Sequence, residues 1–216
     1  MTSQVCISRP QHRTAKGAQR IRDLTSVAAD MFLERGFKAV AVDDLIARVG
    51  GSRRNIYSHF GGKEGLFIAA MTQVCEEISS SLEGLNIDQA DPRDALRSFG
   101  CQFLDVMLEP RTLALYRLMV AEGKDFPEVS QAMYNAGPRK VIGFLAKWIE
   151  GQKKQLQLDS LKSRSSFIMA DQFIFLVLGD IHLRVLVGLD SLPVPETEIT
   201  QIVNNAIATL FPESHD

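Results

Sequence analysis

Arg53, Arg54, Asn55, Tyr57, Ser58 and His59 crowd into one short stretch, directly after Ser52 and the pair Gly50-Gly51. A guanidinium can donate two parallel hydrogen bonds to guanine, and a carboxamide pairs in the same bidentate way with adenine. Arg53, Arg54 and Asn55 therefore carry the chemistry of direct base readout, with Ser58 and His59 as further exposed candidates. Tyr57 and Lys63 suit phosphate better: a phenol at a groove edge, and an ammonium at a helix start where backbone N–H groups also point outward. Plainer readings stand beside these. Tyr57 also fits half-buried packing, Asn55 and Ser58 fit solvated positions, and His59 fits a capping or core histidine. Arg53-Arg54 beside a helix start is electrostatically unfavourable and wants an anion.

Such residues need a rigid carrier. Ser52 is placed to cap a short helix by accepting from backbone N–H groups of its first turn, with Ile56 and Phe60 facing inward. Before it, Val42 to Val49 carries Leu45, Ile46 and Val49 on one face. Two helices of about eight residues joined by a glycine turn, followed at once by a longer helix from Lys63, form a helix-turn-helix pattern. In that pattern the second helix enters the major groove. The charge distribution agrees. Met1 to Leu66 holds 11 Lys and Arg against 6 acids, while the remainder is net −7. That split suits a polyanion at one end only, although a basic tail without a partner has the same arithmetic.

The whole chain reads as all-α, with about nine helices and no stretch of strand-like alternation. Ile21, Leu24, Ala28, Met31 and Phe32 mark the first helix, which stops at Gly36. Beyond a linker at Asn86–Pro92, helical patterns cover Arg93–Leu108, Thr112–Glu122, Pro127–Gln152, Arg164–Val187 and Glu196–Leu210, with a kink or break expected at Gly137-Pro138. The expected organisation is a mobile basic arm over 1–17, a three-helix DNA-binding domain over 18–62, and a larger helical domain over 63–216. The longest apolar run, Phe173 to Leu178, is far short of a bilayer span, and the polar N-terminus does not resemble a secretory signal, so the expected location is the cytoplasm without membrane contact.

The stretch from Gly50 to Phe67 resembles the recognition helix of the TetR family and the start of the helix after it, through its Tyr57, His59-Phe60 and Lys63-Glu-Gly-Leu-Phe67. The resemblance extends back through Asp43-Asp44-Leu-Ile-Ala47 to Ala28, Phe32 and Gly36-Phe37, covering about Gln19 to Met71. The double Gly and double Arg, Leu115-Tyr-Arg-Leu-Met-Val-Ala-Glu122, Phe126-Pro-Glu128 and Ala136-Gly-Pro138 resemble the AefR-like subgroup. The resemblance implies a homodimer, an operator of double-stranded DNA read by two symmetric helices, and release when a small-molecule effector enters the C-terminal region. One departure is Val40-Ala41, where the family often has Ser or Thr as cap and phosphate contact.

Phe167 to Val187 is apolar nearly all round, which suits a helix packed on its own core and on a partner, and Ile199, Ile202, Val203, Ala206, Ile207 and Leu210 form a second apolar stripe. By resemblance these last two helices build the dimer interface; burial of both within one chain is the alternative. Candidate cavity residues are Phe99, Phe103, Met107, Tyr116, Met119, Trp148 and Phe175, with Glu122, His182 or Arg184 as polar contacts, and each also reads as ordinary core. No cofactor or metal is expected. Cys6, Cys75 and Cys101 are odd in number and widely spaced, and read as idle thiols, with a redox pair as the alternative. Enzymatic activity is not expected: no phosphate loop, metal constellation or nucleophile with its base is present, and His12, His59, His182 and His215 lie far apart in sequence. A sequence-independent architectural DNA-binding protein is the remaining rival.

Overall fold

The computed structural model of the protein describes residues 15–50, 52–85, 87, 91–153 and 164–211. Among those residues there are ten helices and no strand: α1 (Ala15–Ala39), α2 (Val42–Val49), α3 (Arg53–Phe60), α4 (Lys63–Glu83), α5 (Pro92–Met107), α6 (Pro110–Glu122), α7 (Pro127–Ala136), α8 (Pro138–Gln152), α9 (Ser166–Leu186) and α10 (Glu196–Leu210). The tenth helix arises because Pro127–Gln152 is divided at Gly137, whose backbone leaves the helical region before Pro138 restarts it. Residues 1–14 of the expected basic arm, with Cys6 and His12, lie outside the described residues, as do Gly51 and His215; α1 already begins at Ala15.

The chain divides into two compact units, Met1–Ala70 and Met71–Asp216. The boundary falls inside α4 rather than before it, because Leu66, Phe67 and Ala70 of its first two turns are wholly buried in the head. There Phe32, Phe37 and Phe67 meet as a ring trio, with centroids 5.0–6.1 Å apart and edge-to-face contacts at Phe67. α1 is interrupted at Gly36 (φ 78°, ψ 167°), so the backbone turns there and delivers Val40 to the core ahead of α2. α2 and α3 are joined through Gly50 (φ 75°, ψ 167°), a conformation that only glycine adopts without strain.

A second glycine fixes where α3 ends and α4 begins. A Cβ placed on Gly65 would lie 1.7 Å from the Phe60 carbonyl oxygen and 2.8 Å from its carbon. Both atoms are backbone, so no side-chain rotation can relieve the overlap.

In the second unit α9 is central: it packs most extensively on α8 and also on α10, α5 and α6. Its inner face, Met169, Ala170, Phe173, Val177 and Ile181, is buried together with Leu96, Phe99 and Leu104 of α5 and Leu145 and Ile149 of α8. α10 closes on α5 through Val203, which lies so near Gly100 that a Cβ there would approach its Cγ1 to 2.7 Å. α9, at 21 residues, is long and apolar enough by length and composition to cross a bilayer. Its contacts and its Asp171, Asp180 and Arg184 are those of a core helix with one face left open.

Gly65→Ala is expected to destabilise the head by about 3 kcal/mol or more, the upper range for forced overpacking. Thermal unfolding monitored by circular dichroism checks this, and an unchanged transition would show that the α3–α4 junction can open.

Candidate functional site

α3 is built to present its polar side chains. Ser52 has an extended backbone and its hydroxyl accepts from the Asn55 N–H at 3.3 Å, while Gly61, in the left-handed region, donates to the Tyr57 carbonyl at 3.0 Å. Ile56 is buried and anchors the helix. Arg53, Arg54, Asn55, Tyr57, Ser58 and His59 are all exposed, as is Ser52. These predicted residues are thus all exposed on and beside α3, with differences in what each has left to offer.

Arg53 is engaged: its Nε donates to Asp43 Oδ1 of α2 at 2.7 Å and its Nη2 to Oδ2. The anion this arginine needs at a helix start is supplied by the chain itself. Arg54 has no acidic partner among the described residues. The Ser58 hydroxyl donates to the Asn55 carbonyl at 3.1 Å, so towards another molecule it acts as an acceptor. Tyr57 is 59% exposed, which rules against simple packing; its ring touches the position where a Gly62 side chain would begin.

Lys63 reaches back towards the turn after Gly36. Its ammonium donates to the Lys38 carbonyl at 3.4 Å and sits 4.4 Å from the centre of the Phe37 ring, binding the turn after Gly36 to the start of α4. At the start of α2, Ala41 provides no side-chain cap.

Sequence reasoning missed two residues here. In the sequence Asp43 enters only the charge count and the resemblance, and its tie to Arg53, ten positions away, becomes visible once α2 and α3 are folded together. Arg20 of α1 was counted only towards net charge. It borders a cleft of about 200 Å³ beside α3, shared with Gly50, Ser52, Asn55, Ser58 and His59.

The second unit contains a cavity of about 70 Å³, walled by α4 (Cys75, Ile78, Leu82), α5 (Phe103, Met107), α6 (Leu115, Tyr116), the α7–α8 junction (Met133, Gly137, Pro138, Val141) and α9 (Ile174, Leu178). Of the expected lining residues, Phe103, Met107 and Tyr116 are in this wall. Phe99 is instead sealed in the core, stacked near Phe103, Phe144 and Phe173. Met119 and Glu122 are buried elsewhere on α6, and Trp148 packs half-buried against the core. Phe175 is a clear correction. It is 75% exposed, because it lies on the outer face of α9, one position after the inward-facing Ile174. Arg184 is also corrected: it is bound in ion pairs to Asp180, Asp190 and Glu198, joining α9 to the start of α10.

His182 lies behind the wall. Its ring meets Tyr116 edge-on at 4.7 Å, it is 6% exposed, and its Nε2 has no hydrogen-bond partner. Burial, reinforced by the Arg117 guanidinium, pulls its pKa down to about 4, so the imidazole is neutral. Burial also pushes the Tyr116 phenol and the Cys75 thiol up to about 12. A thiol so held is neither a nucleophile nor a redox sensor at neutral pH. Among the described residues no three His, Cys, Asp or Glu side chains converge as a metal site.

Two short helices joined through a glycine turn on a three-helix head form the helix-turn-helix arrangement of transcription regulators, and a larger helical body follows it here. The chain belongs to the TetR family and its AefR-like subgroup: the model of the C-terminal domain of AefR-like transcriptional repressors matches residues 94–212, and that of bacterial regulatory proteins of the tetR family matches residues 24–70. It is 32% identical over 84 residues to the HTH-type transcriptional repressor NicS of Pseudomonas putida, a match covering 38% of this chain and 40% of that one. It is 28% identical over 102 residues to the transcriptional activator FasR of Mycolicibacterium smegmatis, covering 45% and 47%. The chain thus spans less than half the length of these curated relatives. Among solved structures, the flavonoid-responsive regulator FrrA shares 27% identity over 89% of this chain and 95% of its own, with a TM-score of 0.72. A TetR-family regulator from Mesorhizobium loti, 18% identical, shares the fold over 91% and 97% with a TM-score of 0.76.

Between pH 6.5 and about 4 the unfolded chain binds a proton at His182 that the folded chain does not. Stability from this group is complete above pH 6.5 and falls as pH drops through that window, by up to about 3 kcal/mol. Denaturant unfolding of wild type and His182→Leu at pH 7 and pH 4.5 is expected to show a smaller pH loss in the variant; equal losses would assign the effect to other groups.

Proposed function

We propose that this protein is a dimeric repressor that binds a palindromic DNA operator through α3 and is released from it by a small, uncharged, largely apolar effector. The observation that carries the reading is the exposed face of α3, where Arg54 and Asn55 stand on a capped, anchored helix with no acidic partner for Arg54 among the described residues. Those two side chains supply the bidentate chemistry of guanine and adenine readout, and Tyr57 and Ser58 supply contacts at the groove edge. Lys63, with one of its three donors on the Lys38 carbonyl, supplies a phosphate contact at the start of α4. Repression is favoured by the likeness to NicS and by the AefR-like domain, although FasR shows that relatives also activate. Because the ligand is chromosomal DNA, the protein belongs in the cytoplasm.

Dimerisation is assigned mainly to α9. Ile168, Phe175, Leu176, Leu183 and Val187 are all exposed along its outer side at helical spacing. An apolar stripe of that extent is what an interface between copies covers. α10 contributes differently than its sequence suggests: Ile199, Val203, Ala206, Ile207 and Leu210 are buried within the chain, leaving Gln201, Asn204, Asn205 and Thr209 outward.

The effector site is assigned to the cavity bounded by Tyr116. Its wall has no charged side chain, so a carboxylate or ammonium entering it would lose hydration without a partner. Tyr116 offers one polar contact. The flavonoid-responsive FrrA gives an aromatic precedent among relatives. At about 70 Å³ the cavity is well below the ~300–1,000 Å³ of formed ligand sites, so the effector must part its walls.

Selection of bound sequences from a random duplex pool with the purified protein tests the reading. A palindrome is expected, and recovery of no shared sequence would favour sequence-blind binding. Arg54→Ala is expected to cost about 1–3 kcal/mol on the selected duplex and to relax preference at particular bases; equal losses on selected and scrambled duplexes would remove Arg54 from base readout. Phe175→Glu is expected to convert the dimer to monomer in analytical ultracentrifugation, and a persisting dimer would place the interface elsewhere.

A further inference from the structure

A carboxylate beside a DNA-reading helix needs a reason, because it repels phosphate and weakens binding to any duplex. Asp43 and Asp44 both occupy the first turn of α2, where either acid suits the helix dipole, so the dipole accounts for an acid there and not for this one's contacts. What distinguishes Asp43 is that both of its oxygens are taken by one edge of the Arg53 guanidinium, at Nε and Nη2. The side chains are 68% and 62% exposed. An ion pair so open to solvent adds little to folding stability, and so its consequence lies in orientation.

The remaining donors show what that orientation does. Of the five guanidinium N–H groups two are used, which leaves both on Nη1 and the second on Nη2. One on each Nη forms the terminal edge, which adjoins the edge held by Asp43, and an Nη1–Nη2 pair of that kind matches the O6 and N7 acceptors of guanine. Without the carboxylate, the same arginine at the start of α3 would be a mobile cation, able to settle on any phosphate within reach.

We infer that Asp43 is a specificity-setting positioning residue: it holds the inner edge of Arg53 so that the outer edge reads a guanine, and it prevents Arg53 from acting as a sequence-blind phosphate clamp. The inference rests on the operator-reading function proposed above. The pairing also holds the Asp43 carboxyl below the usual carboxylate range, so the clamp stays charged throughout the neutral range. Arg53 and Arg54 thereby differ in kind, the first aimed by the protein and the second aimed only by the DNA it meets.

The test uses the full-length protein, a random duplex pool, the sequence that wild type selects from it, and a scrambled duplex. Asp43→Ala is expected to lower the ratio of selected to scrambled affinity by roughly tenfold or more, with scrambled-duplex binding tightening. It should also erase base preference at one position of each half-site. Arg53→Ala should erase preference at that same position, and the double variant should do no more than either single one. Asp43→Asn, which keeps the side chain's shape, repeats the measurement should the alanine variant lose its thermal transition. Unaltered preference at every position in Asp43→Ala or Asp43→Asn, or losses at different positions for Asp43 and Arg53 variants, would overturn the inference while leaving the operator-reading function intact. A wild type that selects no sequence would defeat that function itself, and this inference with it.

Discussion

The N-terminal head depends on a contact with no room for adjustment, the passage of Gly65 against the Phe60 carbonyl. Only a residue without a Cβ permits it, and permitting it means that α4 starts directly on the end of α3. From that junction Leu66 and Phe67 reach the head core, Phe67 completes the ring trio with Phe32 and Phe37, and Lys63 is set to bind the carbonyl of Lys38. α3 is thus fixed at its start by the Ser52 cap, in its middle by Ile56, and at its end by α4. A helix of eight residues is marginal alone in water, and these three anchors supply what its length cannot. The base readout proposed for α3 would need side chains held to within fractions of an ångström, and this packing is of the kind that holds them so.

Local signals made most of the head legible in the sequence. The Ser52 cap, the glycine between α2 and α3, the exposed polar face of α3 and the break at Gly137-Pro138 each follow from residues adjacent in the chain, where capping, backbone freedom and missing donors act over a single turn. What was not legible depended on contacts across helices. Asp43 and Arg53 are ten positions apart, and nothing in either residue type announces their pairing. Lys63 reads as a phosphate ligand because it lies at a helix start, but its ammonium is also directed back at Phe37 and Lys38. Gly65 sits inside a helix, where glycine is usually a cost, and its reason appears only when a second backbone is found against it.

The body shows the same limit in a different form. Periodicity told that α9 and α10 are apolar, but not which side of each faces its own core. α9 is apolar enough to bury Phe173 and still expose Phe175, while α10 spends its apolar stripe on α5 and α9 and keeps a polar outer face. Arg184 marks the divide. With Asp180, Asp190 and Glu198 it ties the two helices at their edge, and a residue held by three carboxylates has little left for a ligand. Aromatic content was similarly a poor guide to the cavity, since a large ring such as Phe99 fills space more often than it lines it.

The small size of the cavity constrains how an effector could act. A ligand shifts a conformational equilibrium only through its differential affinity for the two states, and a cavity of about 70 Å³ gives it little foothold in the present one. An aromatic molecule would therefore bind nearly exclusively to an opened state, which is the condition for a large population shift, at the cost of weaker apparent affinity. The wall is suited to opening where α7 and α8 meet, since Gly137 and Pro138 already interrupt the helical hydrogen-bond ladder and separation there breaks few backbone bonds. α4 forms the opposite part of the wall with Cys75, Ile78 and Leu82, and Lys140 of α8 reaches it through Ser79 and Glu83. Movement of α8 would thus load α4 through a charged tether as well as through packing. On the effector reading proposed above, α8 would therefore act on α4, the helix that begins at Lys63 and Gly65.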